Sequence, residues 1–362
     1  MMKKDKNIYA LILAGGLGSR FWPASKESFP KQFIDLTGSG KTLIQETFIR
    51  IKKIIKTENI FISTNEKYKD LVLKQIPEIN SKNLICELEK RNTAPSILYA
   101  SLKISQINKK AKMIVLPSDH YIKKLNEFYK NVEHAFSVSK SDRLVTFGIN
   151  PKFPSTNYGY IKVKNTRESF QKVLRFTEKP GRQLAEKFLR SNMYFWNSGI
   201  FIWSTESILN AFKIFEPDLM KSFQSNLRSF DSDEEVHFFK IIFPKIKSLS
   251  IDYSILEKAQ NTYVIKSDFQ WSDLGTWESL FETLSKKNLK KNINIGFKEN
   301  YLNSSDGNIM FSDQKKIIIL DSLQDHIIVN NKEMLMIIPR KKIESIQDLR
   351  EVLIKRFGND FN

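Results

Sequence analysis

Two cations and a glycine-rich turn sit together near the start of this chain, and phosphate recognition is the chemistry they suit. Arg20 and Lys31 flank the stretch Gly15-Gly16-Leu17-Gly18-Ser19, which follows directly on the apolar run Ile8 to Ala14. A guanidinium can clamp two phosphate oxygens, and an ammonium acts as a point charge. Glycines remove side chains where the backbone turns, so that its N–H groups can approach an anion. The apolar run is too short to span a membrane and reads as a buried central strand of a parallel sheet. The cations therefore gather at the carboxyl end of that strand, where open α/β sheets bind their ligands.

Two other glycine motifs fail on this sequence. A dinucleotide fingerprint needs GxGxxG, whereas Gly15-Gly16-Leu17-Gly18-Ser19-Arg20 puts a cation in place of the last glycine. A P-loop needs GxxxxGK[ST], and the run Gly38-Ser39-Gly40-Lys41-Thr42 would put Asp35, an anion, at its first glycine. That run reads as a polar turn before a helix over about 43–55.

The spacing GGxGxR, then Trp22-Pro23, then Pro30-Lys31-Gln32-Phe33 resembles the signature of the sugar-nucleotide pyrophosphorylases, specifically the bacterial mannose-1-phosphate guanylyltransferases. Further blocks follow in the same order. Glu87 to Pro95 (ELEKRNTAP) resembles the guanine-side loop, with Leu88 where proline is usual. Leu116-Pro117-Ser118-Asp119-His120 closes an apolar strand, and Asn150 to Ile161 resembles the sugar-binding loop, with Asn157 where glycine is common. Phe176-Thr177-Glu178-Lys179-Pro180, Trp196-Asn197-Ser198-Gly199, Ser250-Ile251-Asp252-Tyr253 and Trp271-Ser272-Asp273-Leu274-Gly275 complete the set. The resemblance covers roughly residues 8 to 280.

It implies that GTP and mannose 1-phosphate are the substrates and that Mg²⁺ is the cofactor. Arg20 and Lys31 would hold the triphosphate and Lys179 the sugar phosphate, these three being the catalytic candidates. Asp119 and Asp273 would be the metal ligands, since magnesium is commonly held by one or two carboxylates with phosphate oxygens and water. The nucleotide would lie against Leu13, Gly15, Gly16, Gly18 and Ser19, the loop Arg91-Asn92-Thr93, and Pro117-Ser118. Tyr158, Gly159, Glu178 and Asn197 would join Lys179 around the sugar phosphate. Blander roles stand beside these: Asp119 as a helix cap, Asp273 as a turn aspartate, Glu178 as a partner of Lys179, Asn92 and Thr93 as caps of the next helix. Trp22, Trp196 and Trp271 would stack on a ligand or, as large aromatics more often do, pack.

The elements that must position these groups are legible in outline. Strands near 8–14, 59–63, 83–87, 112–116 and 143–148 alternate with helices near 43–55, 66–75, 93–107 and 125–139, a pattern that builds a sheet covered by helices. The expected fold is α/β, a Rossmann-like, mixed and mostly parallel sheet of the nucleotidyltransferase, GT-A-like kind. Asn288 to Asn294 is polar and lysine-rich and marks a boundary between a catalytic domain, 1–287, and a smaller one, 288–362. Short strands at 308–311, 317–321, 326–329 and 334–338 follow, and Ile346, Leu349, Leu353 and Phe357 fall at helical spacing. Here the resemblance implies a short left-handed β-helix-like domain closed by a helix, and the absence of the isomerase-like domain of longer relatives.

Composition is compatible. The chain has 362 residues, long enough for one large and one small domain, and a single cysteine, Cys86, which rules out an internal disulfide framework. No signal peptide or membrane span is expected, and the reading is a cytoplasmic protein. The net charge of +18 invites nucleic acid, yet the lysines are scattered rather than gathered in an arm or recognition helix. A solvated surface explains them, with no specific nucleic-acid or membrane partner and a homo-oligomer, a dimer, as the expected assembly. Two alternatives stay open: a pyrophosphorylase for another sugar 1-phosphate or base, and a regulatory, nucleotide-sensing homologue.

Overall fold

The computed structural model describes residues 4–358 except 141, 166 and 287. Lys287, which ends the first expected domain, and the chain ends 1–3 and 359–362 lie outside the described residues. Packing gathers the described residues into two units. One holds those of Met1–Gly15, Phe48–Pro117 and Ile122–Trp271; the other holds those of Gly16–Thr47, Ser118–Tyr121 and Ser272–Asn362.

The first unit is built on a mixed sheet. Strands β1 (Ile8–Leu13), β2 (Ile60–Asn65), β3 (Leu84–Glu87) and β4 (Lys112–Pro117) run parallel, in the order β3-β2-β1-β4. They are rich in isoleucine, leucine and valine and almost wholly buried, as strands with both faces covered must be. Beyond β4 the long strand Tyr194–Ser204 runs antiparallel, followed by Leu144–Ile149, then Thr262–Ser267 parallel to it, then Phe170–Lys172 at the edge. Because β1 lies between β2 and β4, its neighbours are reached on opposite sides, the arrangement that leaves a ligand crevice at strand carboxyl ends. The helix Thr93–Ile107 spans the expected residues and starts at Asn92, whose side chain accepts from the Thr93 N–H at 2.9 Å.

The second unit contains the β-helix-like part. Ile293–Ile295, Ile309–Ser312 and His326–Asn330 stack in parallel, with Ile293 opposite Ile309 and Ile309 opposite Ile327. A second parallel pair, Glu299–Asn303 with Ile317–Asp321, forms another side of each coil, and Leu335–Pro339 ends the stack antiparallel. Alternation divides the side chains between two cores: Met310 and Ile328 pack with Phe297 and Leu320, while Ile309, Phe311, Ile327 and Val329 point the other way. Fully buried Asn308 ties the coils together, donating to Leu323 O at 2.8 Å and accepting from the His326 N–H at 2.9 Å. Four of these strands fall where the sequence placed them; Ile293–Ile295 and Glu299–Asn303 did not announce themselves.

The second of those cores also contains Phe21, Trp22, Ile34, Leu36 and Leu43 from the signature region, with Trp277, Leu280 and Phe281. Asn331 donates to Pro23 O at 2.9 Å, and Lys26 pairs with Glu333. The closing helix, Ile346–Phe357, buries Ile346 in the same core and packs Leu353 against it, while Leu349 and Phe357 stay exposed. Residues near the start of the chain thus share their hydrophobic support with residues near its end.

A chain ending at Asn292 therefore loses at least seven buried apolar side chains from that core. At about 1.5–3 kcal/mol each, their removal is comparable to the whole 5–15 kcal/mol that usually holds a domain folded. We expect the truncated chain to lose the cooperative urea transition reported by Trp22 and Trp277 fluorescence. A transition at an unchanged midpoint would show instead that the C-terminal strands are an independent appendage.

Candidate active site

The glycine loop after β1 is held from below by polar side chains that capture its carbonyls. Gln32 Nε2 donates to Gly16 O at 3.0 Å, and the buried Ser25 hydroxyl contacts both Leu17 O, at 3.0 Å, and Gly18 O, at 2.9 Å. Successive backbone N–H groups in a turn of this kind are the groups that form an anion nest. Only Gly18 of the three glycines needs left-handed freedom, with φ 63°, and a Cβ there would collide with the Lys31 Cβ. Around Gly15 and Gly16 a Cβ would meet nothing within 4 Å. Ser19, Arg20 and Phe21 form a single 3₁₀ turn, and Arg20 points outward, exposed and without an ion pair among the described residues.

Lys31 behaves differently from a surface lysine. Its side chain is 5% exposed; Nζ lies 3.0 Å from Asp119 Oδ2 and donates to the main-chain oxygen of Asp273 at 2.6 Å. One ammonium thus joins the two residues expected to bind metal, from sequence positions far apart. Burial alone would raise the Asp119 pKa, but the Lys31 ammonium, the neighbouring His120 and the hydrogen bonds it accepts win, holding the carboxyl below the usual range. The Asp273 carboxylate accepts from the Gly275 N–H at 3.1 Å. Leu274 between them is buried with φ 44°, a costly conformation for leucine that fixes the turn carrying Asp273. Pro117 ends β4, and buried Ser118 accepts from the Thr47 hydroxyl at 3.1 Å.

The expected sugar-side residues meet one another in the first unit. Glu178 Oε1 pairs with Lys179 Nζ at 3.0 Å, and Gly159 lies so close to the Glu178 carboxylate that a Cβ there would push that carboxylate aside. Asn197 is buried; its Oδ1 accepts from the Thr146 hydroxyl at 2.9 Å, and its Nδ2 donates to Asp252 Oδ1 at 3.2 Å. One Nδ2 hydrogen remains for another acceptor. Tyr158 packs edge-on against Trp196 and Trp271, with centroids 5.0 and 5.2 Å apart. Trp22 and Trp196 are buried packing residues, and Trp271 is half-buried.

Asp252, to which Asn197 donates, is a member of this group whose role its sequence block does not reveal. Burial and then the Glu178 charge push its carboxyl up to about 7, against the Ser250 hydrogen bond and the Lys179 ammonium. Burial pulls the Lys179 pKa down, but the hydrogen bond to Glu178 and the charges of Glu178 and Asp252 leave it above its ordinary value. Lys179, more than half exposed, pairs with Glu178 and feels the Asp252 charge as well.

In the base-side loop the side chains have protein partners. Arg91 donates to Pro244 O, Thr93 Oγ1 accepts from the Ile251 N–H at 2.9 Å, and exposed Asn92 caps its helix with φ 65°. Leu13 is the least buried residue of β1. Glu87, the first residue of the ELEKRNTAP block, lies at the end of β3. It is buried, accepting from the Ser63 and Ser96 hydroxyls, yet burial still pushes its carboxyl up to about 7.

Among the described residues no helix is long and apolar enough to cross a membrane, and no three His, Cys, Asp or Glu side chains cluster as metal ligands. The pair Asp119 and Asp273 offers hard oxygen donors and leaves most of an octahedron to phosphate and water, which suits Mg²⁺.

The nucleotidyl transferase family pattern matches residues 9–291. An Escherichia coli mannose-1-phosphate guanylyltransferase is 32% identical over 349 residues, covering 94% of this chain and 74% of that protein. A Klebsiella pneumoniae protein of the same name is 33% identical over 352 residues, covering 95% and 73%. Among solved structures, a Thermus thermophilus protein described as a mannose-1-phosphate geranyltransferase superposes with a TM-score of 0.86 at 23% identity, covering 96% of this chain and 99% of that one.

The Glu87 environment sets a pH dependence. Its folded pKa is raised from 4.5 to about 7, so the fold binds the proton more tightly than the unfolded chain does. Its contribution favours folding below about 4.5, and stability falls as pH rises from there to about 7. Glu87→Gln removes that slope. We expect the variant's melting temperature to gain on wild type between pH 5 and 8, equivalent to about 3 kcal/mol at most. A difference that does not change with pH would show that Glu87 is ionised throughout.

Proposed function

We propose, for a chain that belongs to the nucleotidyl transferase family and within it to the mannose-1-phosphate guanylyltransferases, that it converts GTP and mannose 1-phosphate to GDP-mannose and diphosphate. The observation that carries this reading is the buried Lys31, joined to Asp119 and Asp273 beside a loop whose Gly16, Leu17 and Gly18 carbonyls are engaged by Gln32 and Ser25. A mannose 1-phosphate oxygen bonds to the α-phosphorus of GTP, the bond from that phosphorus to the β-phosphate oxygen breaks, and diphosphate departs with the electron pair. A phosphate monoester has a second pKa near 6, so the nucleophile is largely dianionic at pH 7 and needs no general base. Catalysis reduces to aligning two anions and balancing charge on the transferring and leaving groups.

Each group on this chain then has a part. The loop N–H groups from Gly15 to Ser19, with Arg20 and Lys31, hold the triphosphate; Lys179 neutralises the sugar phosphate. Glu178 and Asn197 hydrogen-bond mannose hydroxyls, with Tyr158 and Gly159 shaping that pocket. Leu13, Arg91 to Thr93 and Pro117-Ser118 line the nucleoside, largely through main-chain groups. Nucleotidyltransferases generally use a divalent ion; here Asp119 and Asp273 would hold Mg²⁺, which when bound supplies charge neutralisation at the phosphate oxygens. In sequence we retain 1–287 as the catalytic part and 288–362 as the β-helix-like part.

The test is diphosphate release across a matrix of nucleoside triphosphates and sugar 1-phosphates, in wild type and Lys179→Ala. We expect GTP with mannose 1-phosphate to give the highest kcat/KM. Lys179→Ala should raise the KM for mannose 1-phosphate by about 10-fold or more with GTP affinity unchanged. A preference for another pair would overturn the substrate reading; loss of GTP binding in the variant would overturn the placing of Lys179.

A further inference from the structure

Lys31 is held on every side. Gly18 packs against its aliphatic stem, its ammonium lies 5.5 Å from the Phe21 ring centroid, and Asp119 Oδ2 and Asp273 O take up its hydrogens at 3.0 and 2.6 Å. Both acceptors belong to the residues assigned above to the metal. A divalent ion bonds a carboxylate oxygen at about 2.0–2.1 Å for Mg²⁺. An ammonium 3.0 Å from Asp119 Oδ2 already draws on that carboxylate, so an ion held there would share one anion with a second cation. With only the protein's own carboxylates to compensate them, the two cations compete. A triphosphate changes the balance, because its oxygens can partner the ammonium and the metal at once.

We propose that Lys31 guards Asp119, so that the chain without nucleotide binds divalent metal poorly and the ion enters together with the triphosphate. The inference rests on the reading of Asp119 as a metal ligand, and it makes metal and nucleotide binding mutually dependent. Substituting Lys31 with a neutral side chain of similar length should free the carboxylate. Lys31→Met keeps the stem and its packing, and Lys31→Gln keeps a donor for Asp273 O.

The probe is Mn²⁺, with free ion measured by electron paramagnetic resonance in the full chain, alone and with a non-hydrolysable GTP analogue. Wild type alone should bind Mn²⁺ at least 10-fold more weakly than either Lys31 variant alone. The analogue should tighten wild-type binding beyond what the analogue achieves free in solution. Adding Asp119→Asn to Lys31→Met should return the affinity to the wild-type level. Circular dichroism melts identify a variant that has failed to fold, and the other then decides. Equal Mn²⁺ affinity of wild type and a folded Lys31 variant, with Asp119→Asn still weakening the nucleotide-dependent site, overturns the guard while leaving the metal reading standing. Binding that Asp119→Asn does not alter in any state overturns the metal reading itself, and the guard with it.

Discussion

The rings of Phe21 and Trp277 lie 5.0 Å apart, in a core that neither the signature segment nor the C-terminal strands would bury alone. Phe21 and Trp22 follow directly on Ser19 and Arg20, so whatever fixes these aromatics fixes the far end of the glycine loop. Trp277 in turn packs on Phe311, with centroids 5.9 Å apart, and Phe311 belongs to a strand stacked in register with its neighbours. Dense packing transmits such constraints, because a core with no free volume has few alternative arrangements. The β-helix-like coils are thereby structural support for the loop.

Burying a lysine beside that core is costly unless its charge and its hydrogens are satisfied. Lys31 meets both conditions with Asp119 and the Asp273 carbonyl, and the strained φ of Leu274 belongs to the turn that presents that carbonyl. Removing one partner would leave the other uncompensated, the more expensive error. The sugar-side cluster follows the same rule. The Glu178 charge raises the Asp252 carboxyl, and Lys179, paired with Glu178, opposes that rise.

Most of the fold was legible because the signals were local. β1 to β4 are continuous apolar runs, and the Thr93–Ile107 helix carries its own cap in Asn92. The strand Glu299–Asn303 was missed because it is polar and largely exposed, and its partner Ile317–Asp321 lies a full coil away. The site was legible in its residue types but not in its wiring. Gln32 and Ser25 act through main-chain carbonyls, which no residue pattern displays. Asp252 owes its environment to Asn197, Glu178 and Ser250, two of which are distant in sequence. In the loop Arg91-Asn92-Thr93 the wiring was equally hidden: Arg91 donates to Pro244 O and Thr93 accepts from the Ile251 N–H, partners distant in sequence.

Support of the loop by the C-terminal strands is measured most directly by amide hydrogen exchange in wild type and Ile327→Ala. Ile327 is fully buried in the shared core and distant in sequence from the loop. Truncating such a side chain usually costs about 2–5 kcal/mol and leaves a cavity. If the core carries the loop, exchange should accelerate both across residues 293–339 and in peptides spanning 16–33. Acceleration confined to 293–339, with 16–33 as protected as in wild type, would contradict the account.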